Sequence, residues 1–281
     1  MQALDPLAKI LATKLESLQI LGESSLQDYA WDEKAYGLHQ SSLFLSLSLA
    51  QQTTALRYIS HRRLSLALCI EEMGLSYCAK MSLLSQSPTE KSAFALMGAD
   101  ETQHYHLILP LLKEPVARDI ALNDFVNQAV ASSNHLASLF VLQILLEGFG
   151  LSYYRSLSET SIDQNIQKVF RRIVADEAFH HGLGVVLFKL ENEANHSRYE
   201  VGAIDLCEGF LRTIVGELWI AQALGCATKS SLSSLDKSTL IAETAWIESS
   251  RNRSRAIEDM VRRHAPVSWV QELERRHVFK S

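Results

Sequence analysis

Apolar positions recur along this chain every three or four residues and almost never strictly every second one, which is the period of helices rather than strands. The pattern predicts helices over residues 4–21, 33–58, 62–86, 89–113, 119–157 with a break near Ser132–Asn134, 162–191, 199–226 and 237–264. The sharpest boundary is Ser87-Pro88-Thr89-Glu90, with Ser87 as N-cap, Pro88 at the first helical position and Glu90 reaching back. The fold class expected is all-α in one domain, 1–281, with N-terminal helices over 1–60, a four-helix core over 62–191 and C-terminal helices over 199–281.

One segment departs from amphipathic spacing. LASLFVLQILLEGFGLSYY, from Leu136 to Tyr154, is apolar on all sides and carries a single charge, Glu147. A membrane span would strand that carboxylate in lipid. A central helix covered by neighbours accounts for both features, so no membrane span is expected.

Composition narrows the classes of function. A net charge of −5 without a basic cluster excludes nucleic acid as the main partner. The 4 cysteines form no Cys-x-x-Cys pair and no leader-like segment opens the chain, so a reducing cytoplasm is expected.

Candidate chemistry lies in two near-copies, Ala-Asp-Glu-Thr-Gln-His ending at His104 and Ala-Asp-Glu-Ala-Phe-His ending at His180. A bare Glu-x-x-His is weak, and the chain also holds Glu193/His196 and Glu274/His277. Requiring the preceding Asp lowers the chance expectation to about 0.03, yet two copies occur. On a helix, residues three apart share a face, so Glu101 with His104 and Glu177 with His180 can each offer an oxygen and an imidazole nitrogen to one metal ion.

A shared two-metal site needs one further inward carboxylate before each motif. Glu147 precedes Glu177 by thirty positions, and Glu71 and Glu72 precede Glu101 by thirty and twenty-nine. Glu72 shares an arc with Arg62, Ser65, Ser76 and Lys80, whereas Glu71 points with Leu64, Ala67, Leu68 and Cys78, so Glu71 is the inward one. The metal ligands expected are Glu71, Glu101, His104, Glu147, Glu177 and His180. Ligating histidines commonly give their other N–H to a carboxylate, so Asp176 is expected to orient His104 and Asp100 to orient His180. His106 is expected to be exposed, and His181 falls near the Glu177 face. Gln143 and Tyr154 are candidate pocket residues, with Gln143 needing a buried partner such as a ligand carboxylate or substrate. The small residues Gly74, Cys78, Gly148 and Gly150 leave room for a substrate or let helices approach.

These residues resemble the ligands of ferritin-like di-iron carboxylate proteins. Over about residues 64–188, QILLEGFGLSYY followed by VADEAFHHGLG is similar to the cyanobacterial aldehyde-deformylating oxygenases. The resemblance does not extend to the places that mark sister families. Ile173 stands where arylamine N-oxygenases add a His, Ile108 where ribonucleotide reductases place a radical Tyr, and Leu151 where multicomponent monooxygenases place a Thr. It implies a ferritin-like bundle binding two iron ions, with O₂ as co-substrate and an external electron donor such as a ferredoxin and its reductase. The implied chemistry is oxygenase or oxidase action on a small organic substrate through a peroxo-bridged di-ferric state, by aldehyde deformylation or C–H or N oxidation. A non-enzymatic iron-binding or storage protein is the alternative, and a homodimer is the assembly to test.

Overall fold

The computed structural model describes residues 28–118, 120–194, 200–213, 219–244 and 246–279; the helix expected over 4–21 lies outside them. Among the described residues there are helices and no strands. Besides a one-turn helix at Ser42–Leu45 and short 3₁₀ turns, they are in chain order α1 Leu49–Leu84, α2 Pro88–Ile108, α3 Ile120–Ala131, α4 His135–Thr160, α5 Gln164–Ala194, α6 Glu200–Thr213, α7 Trp219–Thr228, α8 Ser234–Glu243, α9 Trp246–His264 and α10 Val267–Arg275.

Several boundaries differ from expectation for local reasons. The helices expected over 33–58 and 62–86 become one 36-residue helix, α1. Ser48 and Gln51 start it with a reciprocal capping box, and no Gly or Pro interrupts it near Ile59–His61. Upstream, Gly37 at φ 69° ends a short 3₁₀ turn capped by Asp32, so the chain does not run helically from residue 33. α2 stops at Ile108, ahead of a 3₁₀ turn at Leu109–Leu111 built around Pro110. Of the span expected over 199–226, the described residues lie in α6 and α7. The last long span is split at Thr244, which is extended at φ −105° and ψ 158°, and α10 adds a helix that was not anticipated.

The break near Ser132–Asn134 is present, with the Asn134 side chain accepting from Ala137 N–H to start α4. Within α4, Leu139–Leu146 is wound as π-helix immediately before Glu147. Such widened turns are rare and concentrate at functional sites. α4 is the one described helix long and apolar enough to cross a membrane, and 72% of its apolar window is buried inside the protein.

Two helical hairpins, α1 with α2 and α4 with α5, enclose the main core. A second apolar cluster joins α7 to the first half of α1 through Leu56, Ile59, Ala223 and Leu224. α10 closes the core with Trp269, 2% exposed. Its ring sits edge-on to Phe140 at 5.4 Å and to Phe188 at 5.9 Å. Trp269→Ala removes this plug, and denaturant titration should show unfolding free energy reduced by about 3–5 kcal/mol.

Candidate metal centre

The hairpins bring all six expected ligands together. Glu71 on α1, Glu101 and His104 on α2, Glu147 on α4, and Glu177 and His180 on α5 converge between the helices. All but Glu147, which is half-buried, are at most 2% exposed. Glu72 lies outside, paired with Arg118 at 2.8 Å. The ligand atoms fall into two groups, Glu71, Glu101, His104 and Glu177, and Glu101, Glu147, Glu177 and His180, with the members of each within 4.8 Å of one another. Glu101 and Glu177 belong to both.

Both imidazoles point Nδ1 inward and Nε2 outward. His104 Nδ1 is 3.1 Å from Glu71 Oε2 and 3.4 Å from Glu177 Oε1. His180 Nδ1 is 3.1 Å from Glu101 Oε1, 3.4 Å from Glu177 Oε2 and 4.0 Å from Glu147 Oε2. On the outer side Asp176 Oδ2 lies 3.1 Å from His104 Nε2, and Asp100 Oδ2 lies 3.3 Å from His180 Nε2. Each Asp thus meets the histidine of the facing helix.

The donor set fits a cation. Glu101 Oε1, Glu177 Oε2 and His180 Nδ1 are buried without a hydrogen-bond partner, because the close approach of Glu101 Oε1 to His180 Nδ1 is not aligned as a hydrogen bond. Buried polar atoms are seldom left so. Gly74 makes room for the arrangement: a Cβ there would come 2.6 Å from Glu101 Oε2. These buried Glu and His groups could therefore hold metal ions.

Electrostatics describe the same demand. Burial, then the charges of Glu71 and Glu177, pushes the Glu101 carboxyl well above its ordinary range. Burial and Glu177 do the same to Glu147. At Glu177 burial also opposes ionisation, but the close approach of Glu147 and of the His104 and His180 imidazoles outweighs it and holds the carboxyl below its usual range. Burial opposes protonation of His104, yet the charge of Glu71 and hydrogen bonds to Asp176 and Glu177 raise it well above normal. For His180 burial opposes protonation, but the nearby Glu177 carboxylate at 3.4 Å and the Glu147 charge overcome it and raise it from 6.5 to about 9. Protons are the counter-charge of the cluster by itself, and metal ions would compete with them.

The candidate pocket residues have other roles. Gln143 is fully buried, accepting from Tyr77 O–H at 2.8 Å and donating to the His180 carbonyl at 3.1 Å, so neither of these partners is a ligand carboxylate. Tyr154 donates a short hydrogen bond to Glu71 Oε1 and stacks on Phe170. Neither lines the cavity of about 10 Å³ beside the carboxylates, which is bounded by Ile70, Met73, Val126, Leu142 and Leu146 with Gly74, Tyr77, Glu101, Glu147 and Glu177. Tyr77 was missed by the sequence reading and carried no spacing signal: six residues after Glu71 it lies about 120° round α1 from that ligand. His181 meets the Ile144 carbonyl at 3.1 Å, outside the cluster, and His106 is half-buried rather than exposed. The space at Gly74 is taken by Glu101 and that at Gly148 by Met260 and His181, so these two glycines serve close approach and not substrate room.

No family model matches the chain, and no curated protein or solved structure matches it.

Two outcomes follow from the geometry. Gly74→Ala should leave the metal-free thermal midpoint nearly unchanged, since the helix gains roughly 1 kcal/mol of propensity, but should lower bound metal per chain by displacing Glu101, as elemental analysis would show. The raised value of His180 makes its contribution to stability complete below pH 6.5 and lost as pH climbs through about 9. Glu101 and Glu147, also raised, act in the same direction. Chelator-treated protein should therefore lose thermal stability between pH 6.5 and 9, and saturating manganese(II) should remove the decline.

Proposed function

We propose that this chain is a ferritin-like di-iron oxidoreductase that uses O₂ on a small organic substrate. The observation that supports it is the pair of ligand groups, each with three carboxylates and one imidazole, sharing Glu101 and Glu177. Hard oxygen donors with two imidazoles suit iron, and the symmetry of the two hairpins suits a pair of ions. Two irons held by these six residues would supply electrons and Lewis acidity for reducing O₂, with a ferredoxin-type donor as the external reductant.

The chain's own contribution is orientation and exclusion of water. Asp176 and Asp100 hold the outer imidazole nitrogens, which keeps each Nδ1 facing inward. Tyr154 O–H holds Glu71 Oε1 and so fixes which oxygen of that carboxylate is turned to His104. Gln143 anchors the backbone carbonyl of His180. The small cavity carries an apolar wall, which suits O₂. A larger substrate would enter by displacing Met73, Leu142 or Leu146 from it.

Within this reading the resemblance of the Glu147–Tyr154 and Glu177–His180 stretches to aldehyde-deformylating oxygenases makes a long-chain aldehyde the substrate to try. Purified protein should hold two irons per chain. Glu177→Ala should lose most of both, because it belongs to both groups, whereas Glu72→Ala should retain them. With reductant and O₂, a long-chain aldehyde should give formate and an alkane one carbon shorter. O₂ consumption with an amine or C–H substrate but no formate would keep the oxygenase reading and reject the aldehyde. Iron binding with no O₂ chemistry under any reducing condition would leave a storage role.

A further inference from the structure

The outer face of α5 is apolar where a solvent-facing helix is ordinarily polar. Phe179, Val186 and Leu190 are 52%, 57% and 60% exposed, and their spacing of seven and four places them in one stripe with Leu183. Leu96 on α2, 63% exposed, belongs to the same patch. The Asp100–His180 and Asp176–His104 contacts show α2 and α5 running antiparallel, so Leu96, one turn before Asp100, comes level with Leu183 and Gly184. On α5 this strip carries charge only at its edges, at Asp176 and Lys189. Four such side chains present on the order of 450 Å² of apolar surface, more than half of the roughly 800 Å² that each partner of a stable dimer buries. The largest apolar patch on a typical monomer is about 300–600 Å² and is often functional, so this face ranks with such patches.

We propose that this face is a two-fold interface with a second copy of the chain, α5 packing antiparallel on the partner's α5 about an axis between Gly182 and Leu183. The sequence of the face is self-complementary in that register. Phe179 meets the partner's Val186, and the small Ala175 and Gly182 meet the partner's Leu190 and Leu183. A Cβ added at Gly182 would meet nothing within 4 Å, which leaves the two backbones free to approach there. The interface also closes the metal centre. Asp100 and Asp176 form the water-facing edge of the ligand cluster, with side chains 30% and 36% exposed, and they flank the patch. A partner over them removes water from both Asp–His hydrogen bonds, which strengthens those bonds and hence the imidazole orientation.

The interface does not depend on the metal, so it is tested separately. Sedimentation velocity of the full chain at micromolar concentration should give twice the chain mass. Val186→Glu should give the monomer mass with unchanged helical circular dichroism, whereas Leu83→Glu, at an 86% exposed position on α1, should remain dimeric. In a Cys226→Ser background, Gly182→Cys should form an intermolecular disulfide under mild oxidation and Leu83→Cys should not. A monomeric wild-type chain, a Val186→Glu protein that stays dimeric, or equal cross-linking at positions 182 and 83 would overturn the proposal.

Discussion

Four carboxylates held within one buried cluster set the terms for the rest of this structure. Desolvation and mutual repulsion both oppose their ionisation, as the raised Glu101 and Glu147 carboxyls record. Two imidazoles supply the nearest positive charge and are themselves buried, so the cluster is stable only with protons or cations bound within it. Everything around it limits the alternatives. Helices keep the backbone's own polar groups satisfied, the Gly74 position leaves space for one carboxylate, and the aspartates turn the imidazoles inward from outside.

Helical arithmetic made this cluster legible before any coordinates. An interval of thirty residues between inward carboxylates is the length of half a hairpin, a tight turn and the return, and both halves of the chain use it. Phase decided between adjacent glutamates because one arc of α1 is apolar and the other polar. Glu71 lies among the ligands and Glu72 faces Arg118 on the surface. The Asp–His pairings were legible for the same reason, since a residue adjacent to a ligand on one helix is presented to the neighbouring helix.

What was not legible depends on contacts between segments distant in sequence. Ile59–His61 reads as a plausible joint, but α7 holds both sides of it, packing on Leu56 and Ile59 and receiving Arg62 over the Trp219 ring at 5.2 Å. The π-helical winding of Leu139–Leu146 leaves no signature in a run apolar at every position but Gln143, because a shift of phase cannot be seen where nearly every phase is hydrophobic. Gln143 was recognisable as a buried polar group in need of partners, yet its partners come from α1 and α5, and Tyr77 and the His180 carbonyl could be identified only once the helices were assembled.

The two unusual features of α4 and α5 are linked through the cluster. π winding adds a residue to the turns before Glu147, and in that stretch Gln143 reaches the His180 carbonyl while His181 reaches the Ile144 carbonyl. α5 is therefore fixed to α4 on the inner side by two bonds, one to the backbone carbonyl of the ligand His180 and one from the side chain of the residue after it. Its outer side has no such restraint, only half-exposed aspartates and an apolar stripe. A helix that must present Glu177 and His180 at fixed positions is held from within by polar contacts, and a dry partner surface is the means by which it would be held from without.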